Sequence, residues 1–139
     1  LKVNQKKAKN NFKKYLITPE QEFVEAHSFL AIVENKEIPS LKSLKVSEAS
    51  YILGLLDCIG ELKRFVLDNI RNDQLKKADR IFNVMENLYQ ALYPFAMYDK
   101  IVKETRRKLD VNRILVEETR AVITEEIRRN HFVKALTKK

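Results

Sequence analysis

Tyr51-Ile52-Leu53-Gly54-Leu55-Leu56-Asp57-Cys58-Ile59-Gly60-Glu61-Leu62-Lys63-Arg64-Phe65-Val66-Leu67-Asp68-Asn69-Ile70 is the stretch on which the fold turns. Asp57, Glu61, Arg64 and Asp68, with Ser50 just upstream, recur at helical spacing and share one narrow polar strip at about 100° per residue. Almost every other position is apolar, with Lys63 the main exception. The spacing predicts a helix, and a helix apolar nearly all round is buried on several sides. Subunit contacts as well as an internal core are therefore expected. Gly54 and Gly60, beside the strip, would permit close approach of a neighbouring backbone or ligand.

Working outward, the flanking segments read as further helices. Leu1 to Leu16 is basic and amphipathic. Thr18-Pro19-Glu20-Gln21 has the pattern of a helix start, with Thr18 as N-cap, Pro19 in the first turn and Gln21 closing a capping box. That helix is expected to run to about Lys36 and stop before Pro39. A loop from Ile38 to Val46 follows, and Ser47 is the expected N-cap of the apolar helix. Leu75 to Tyr93 is amphipathic and ends near Pro94. A short helix over Phe95–Glu104 leads to a long one over Lys108–Asn130, with a frayed tail from Lys134. The expected fold is all-α: an antiparallel bundle of about six to seven helices in a single domain over residues 1–139.

Only two Gly and three Pro interrupt 139 residues that are 45% hydrophobic, which favours long helices over sheet. No apolar run approaches the roughly 18 residues of a membrane span, and no signal-peptide pattern opens the chain. The single Cys58 can form no internal disulfide and supplies no zinc ligand set, consistent with a reducing cytoplasm. A formal charge of +8 and a pI near 9.6 suit a polyanionic partner, nucleic acid being the commonest, although such charge also serves solubility.

Two acidic pairs lie inside apolar runs: Glu22 with Glu25, and Asp57 with Glu61. Spacings of i,i+3 and i,i+4 place each pair on one helix face. By helical phase, Glu22 and Glu25 fall on the side of Ala26, Phe29 and Ile32, away from the polar stripe Glu20, His27 and Glu34. Four carboxylates converging at about 6 Å would repel by roughly 3 kcal/mol per pair at an effective dielectric near 20. Six such pairs rival the roughly 5–15 kcal/mol stability of a domain. Protonation or a bound cation would relieve them. No Glu-x-x-His occurs, unlike ferritin-like di-iron bundles, and an all-carboxylate set suits Mg²⁺, with Mn²⁺ as the other choice. The plainer alternative is a set of surface acids paired with Lys or Arg. His27 and His131 read as surface residues, and Cys58 as core filling.

Tyr51 to Arg64, with its Asp-x-x-Gly-Glu-Leu-x-Arg core, resembles the signature helix of the translin family. Gln21-Glu22-Phe23-Val24-Glu25-Ala26 resembles the acidic helix of its catalytic branch, translin-associated factor X (TRAX). Leu92-Tyr93-Pro94-Phe95 before a long final helix is similar to the family's last third. The likeness covers roughly Phe12 to Phe132 and is greatest to the archaeal members. It implies seven-helix subunits in hollow, barrel-like octamers that bind single-stranded DNA or RNA. In the TRAX branch it further implies metal-dependent endoribonuclease activity, with Glu22, Glu25, Asp57 and Glu61 as ligands and catalytic acids. Translin itself carries an apolar residue where Asp57 stands. The chain is short for the family, which implies that an N-terminal helix, and part of the segment between Glu37 and Ser47, are missing.

For nucleic-acid contact, Arg64, one turn after Glu61, is placed to meet a phosphate oxygen, or else to pair with Asp68 or Glu61. Lys13 and Lys14 would extend the basic track. Arg106, Arg113 and Arg120 form another stripe, with Glu117 in reach of the last two. Three functions therefore stand side by side. They are a Mg²⁺-dependent endoribonuclease acting inside a homo-oligomeric shell, a non-catalytic binder of single-stranded nucleic acid, and a purely structural helical subunit.

Overall fold

Among the described residues every regular element is helical, as the spacing of apolar residues predicts. The computed structural model describes the backbone of residues 2–138 and the side chains of residues 18–138. In order the elements are α1 (Lys2–Val33), α2 (Leu41–Leu44), α3 (Glu48–Arg71), α4 (Leu75–Leu92), a 3-10 helix (Tyr93–Tyr98) and α5 (Thr105–Thr137). The chain divides into two compact units, Leu1–Cys58 and Ile59–Lys139, and the boundary falls inside α3. None of the described helices is long and apolar enough to cross a membrane.

In the first unit, α1 continues through Pro19, so the helix start expected at Thr18 is not one. Proline removes one backbone donor and strains the preceding turn. Neighbouring contacts hold that turn in place. The Glu20 carboxylate accepts from the Ser47 amide at 3.2 Å, the Ser47 hydroxyl at 3.1 Å and the Ser50 hydroxyl at 2.7 Å. Ser47 in turn caps α3 as expected, its hydroxyl accepting from the Ser50 amide at 3.2 Å. The end of α1 is set by Asn35, whose φ of 58° is left-handed. The Lys36 amide then closes back on the Ala31 carbonyl at 2.8 Å. The expected loop holds the short α2, capped by Ser40, whose hydroxyl accepts from the Ser43 amide at 3.2 Å. Tyr51 donates its hydroxyl to the Pro39 carbonyl at 2.8 Å, and burial raises its pKa.

The Ser50 hydroxyl, followed by both Ser47 groups, holds the Glu20 carboxyl below its ordinary value of 4.5. A lowered carboxyl pKa stabilises the fold above the unfolded value, and that contribution is lost as pH falls through the folded one. We expect Glu20→Gln to cost about 1 kcal/mol near pH 7, the scale of a charge-assisted capping bond. Urea titrations of both proteins should show the difference shrinking as pH falls through the native carboxyl's pKa, which lies below the ordinary value.

In the second unit, α4 buries Ala78, Ile81, Phe82, Met85, Leu88 and Leu92. Along α5, Thr105, Leu109, Asn112, Val116, Thr119 and Ile123 are buried, alternating three and four residues apart. These two stripes face each other, and the 3-10 helix packs on both. The last helix starts earlier than expected and runs to Thr137. Its first turn is secured by Asp99, whose carboxylate accepts from the Arg106 amide at 2.9 Å. Glu104 precedes it in the left-handed region, with φ of 76°. Lys63, the misfit in the apolar helix, ion-pairs with Glu118 of α5. Arg120 pairs with Glu86 of α4 rather than with Glu117.

Much of the apolar surface of α3 is covered within the chain. Leu53, Leu55, Leu56, Cys58, Ile59, Leu62 and Val66 are all less than a tenth exposed. Ile52, Phe65, Leu67 and Ile70 stay partly exposed, so α3 keeps some apolar surface beyond the core. Exposed large apolar side chains lie on α1, at Phe23 and Leu30, on the 3-10 segment and just after it, at Tyr93, Met97, Tyr98 and Ile101, and along α5, at Val111, Ile114, Val122, Phe132, Val133 and Leu136.

Candidate metal and nucleic-acid site

The site begins where α1 meets α3. Gly54 is buried, and a Cβ at this position would lie 2.6 Å from the Gln21 carbonyl oxygen and 2.6 Å from the Val24 Cβ. Only glycine allows that approach, as the sequence suggests. Within the chain nothing comes as near to Gly60, where a Cβ would meet only the Leu115 Cδ1, at 4.0 Å. One turn past Gly54, the Gln21 amide Nε2 donates to Oδ2 of Asp57.

The four candidate acids differ in setting. Asp57 and Glu61 are half-buried on α3, four residues apart and so on one face of that helix. Glu25 is half-buried, whereas Glu22 is exposed and not in apolar surroundings. The buried face of α1 is set by Val24, Ser28, Ala31 and Ile32. At about 100° per residue, Glu22 is turned roughly 160° from Val24, while Glu25 sits about 20° from Ile32. Among the described residues, no group of three or more His, Cys, Asp or Glu is arranged to hold a metal ion. Glu61 pairs with Arg64 at 3.6 Å, the guanidinium side remaining 74% exposed. The side chains of Lys13 and Lys14 lie outside the described residues.

His27 is exposed and its ring meets that of Phe23 at a 4.2 Å centroid distance, and His131 is exposed too. Cys58 is fully buried, as core filling requires. A hollow of about 870 Å³ is lined by α5 alone, including Arg120, Thr124, Arg128 and Phe132. It is a furrow along one helix and contains none of the candidate acids. Glu20 and Gln21 are the polar residues of this region that sequence reasoning missed. Their placement in an apparent capping box was the available signal, and it pointed to the wrong partner.

The chain matches the Translin family over residues 2–123. An uncharacterized protein of Methanocaldococcus jannaschii is 48% identical over 106 residues, 76% of this chain and 47% of that protein. Among solved structures, AfC3PO superposes with a TM-score of 0.71 at 34% identity. The AfC3PO–duplex RNA complex does so with a TM-score of 0.71 at 32% identity. Each superposition covers 79% of this chain and 58% of the other. The chain thus spans about half the length of the curated relative and under two thirds of the solved ones. With the Gly54 contact, the Asp57 and Glu61 pair and a match over most of its length, this chain belongs to the translin family.

Proposed function

We propose that this protein is a translin-type RNA-binding subunit that cleaves short or single-stranded RNA with a divalent metal ion, as part of a homo-oligomeric shell, most simply an octamer. The observation that carries the reading is the Asp57 and Glu61 pair, half-buried on one face of α3, with Asp57 held by the Gln21 amide. Mg²⁺ needs no all-protein cage: it is commonly held by one or two carboxylates, with waters and substrate phosphates completing the shell. Asp57 and Glu61 fit that requirement, with Glu22 and Glu25 acting through water. When bound, such an ion lowers the pKa of its water and offsets charge on the phosphate. Arg64, largely exposed and only loosely paired, supplies a cation for a non-bridging phosphate oxygen. The similar AfC3PO has been solved with duplex RNA, which supports RNA as the ligand class here. A reducing, cytoplasmic setting accords with the lone buried thiol.

One observation favours the second reading, a non-catalytic binder of single-stranded DNA or RNA. Among the described residues no three potential ligands form a ready group. A fluorescent RNA cleavage assay with Mg²⁺, Mn²⁺ and EDTA arms separates the two. Cleavage with metal and none in EDTA is expected, and intact RNA in every arm would leave binding alone. Binding itself should weaken at least roughly tenfold between about 50 and 200 mM salt, because cationic side chains displace counterions from phosphates. Fluorescence anisotropy in EDTA measures this directly. An affinity indifferent to salt would refute the electrostatic basis given by the +8 charge.

A further inference from the structure

Leu16, Pro19, Phe23, Ala26, Leu30 and Val33 follow one another along α1 at alternating spacings of three and four residues. That spacing is the heptad repeat of a helix seam. The seam lies roughly 160° round the helix from Val24, Ser28, Ala31 and Ile32, which are buried. Phe23 is nevertheless 43% exposed and Leu30 52%, and Pro19 and Ala26 are exposed as well. α1 therefore carries two apolar faces, and the chain covers one of them. We infer, resting on the homo-oligomeric reading proposed above, that the outer face of α1 docks against the same face of a second copy. The two helices run antiparallel about a two-fold axis.

Volume and charge both select this occupant and this direction. One row of the seam is large (Leu16, Phe23, Leu30) and the other is small (Pro19, Ala26, Val33). Antiparallel pairing sets large against small in every layer: Leu16 on Val33, Phe23 on Ala26 and Leu30 on Pro19 of the second copy. Such alternation is what lets facing side chains interdigitate. Parallel pairing would set Phe23 on Phe23 and Ala26 on Ala26, crowding one layer and emptying the next. In the antiparallel register the flanking positions are complementary too. Glu20 falls across from His27 of the second copy, and by heptad position Lys13 falls across from Glu34. The bonds Glu20 accepts from Ser47 and Ser50 all end on Oε2, leaving Oε1 to accept from the imidazole. A contact that uses one patch on both copies is closed by its own two-fold axis.

The test uses the full chain. Analytical ultracentrifugation of wild type, Phe23→Glu and Leu30→Glu, beside circular dichroism, measures self-association and folding. Both variants should keep their helical content, since each side chain is exposed within the chain. Each should weaken self-association at least about a hundredfold, because the lost anchor is lost from both copies at once. Direction is read by disulfide trapping, with the buried Cys58 left in place. Pro19→Cys and Leu30→Cys chains, co-expressed and oxidised, should yield at least about tenfold more cross-linked dimer than either chain alone. Equal cross-linking by each chain alone would overturn the antiparallel contact. Folded glutamate variants that associate as wild type does would overturn the inference and leave the homo-oligomeric reading intact. A wild type that is monomeric at micromolar concentration would overturn both. Glutamate variants that fail to fold would show this face to be covered within the chain, and overturn the inference as well.

Discussion

Gly54→Leu is expected to drive α1 away from α3 and lower stability by about 3 kcal/mol or more, beyond the usual 1–3 kcal/mol of core overpacking. The reason lies in what the new side chain would strike. Its Cβ alone would stand 2.6 Å from the Gln21 carbonyl oxygen and 2.6 Å from the Val24 Cβ, and neither can swing aside as the tip of a long side chain could. Gly54→Ala isolates that Cβ. The gain in helix propensity is only about 1 kcal/mol, so the clash should win and the variant should still be destabilised. Gly60→Ala gives the opposite sign. Its Cβ would meet only Leu115, at 4.0 Å, an ordinary contact, so the propensity gain should appear almost undiminished. Chemical denaturation of the three variants beside wild type measures all of this. A Gly54→Ala protein as stable as Gly60→Ala would show that α1 does not press on α3 at this point.

That contrast shows how far the sequence could be read. Two glycines beside one polar strip look alike in a list of residues, and their difference depends on which neighbour lies over each. The helix around them was legible because its apolar repeat is long and strong. So was the Ser47 cap, because the capping hydroxyl and the amide it accepts lie within one turn. Local signals failed where a distant partner overrode them. Thr18-Pro19-Glu20-Gln21 has every mark of a helix start, yet Glu20 is tied to Ser47 and Ser50 across about thirty residues and the helix runs on. The beginning of α5 was placed late because its securing carboxylate, Asp99, belongs to the preceding segment. Phase arithmetic separated Glu25 from the solvated stripe but misjudged Glu22, whose exposure follows from Val24 and Ser28 setting the buried face. At the site, Asp57 and Glu61 could be singled out by spacing and by motif. Gln21, the donor to Asp57, could not, since periodicity along one helix says nothing of a bond between two.

Asp57→Asn and Glu61→Gln should each reduce metal-dependent RNA cleavage by at least about a hundredfold while leaving fold and RNA binding nearly unchanged. Each amide preserves shape and removes the negative charge that would hold the cation, so no cavity is opened. At position 57 the remaining amide oxygen can still accept from Gln21, so the bond between α1 and α3 survives. At position 61 the partner is Arg64, at 3.6 Å with its side chain 74% exposed. Surface pairs of this kind contribute about 0–1 kcal/mol, so neutralising Glu61 should shift the melting temperature only slightly. These magnitudes separate a catalytic role from a structural one. If either acid instead neutralised a buried cation, its amide variant would lose about 3–5 kcal/mol by stranding that cation. Melting temperature, Mg²⁺-dependent cleavage and RNA affinity in EDTA, measured on the same two proteins, distinguish the outcomes. Loss of cleavage with stability and binding retained assigns Asp57 and Glu61 to the chemistry. A large fall in melting temperature assigns them to the fold, and full cleavage by both variants would end their candidacy as metal ligands.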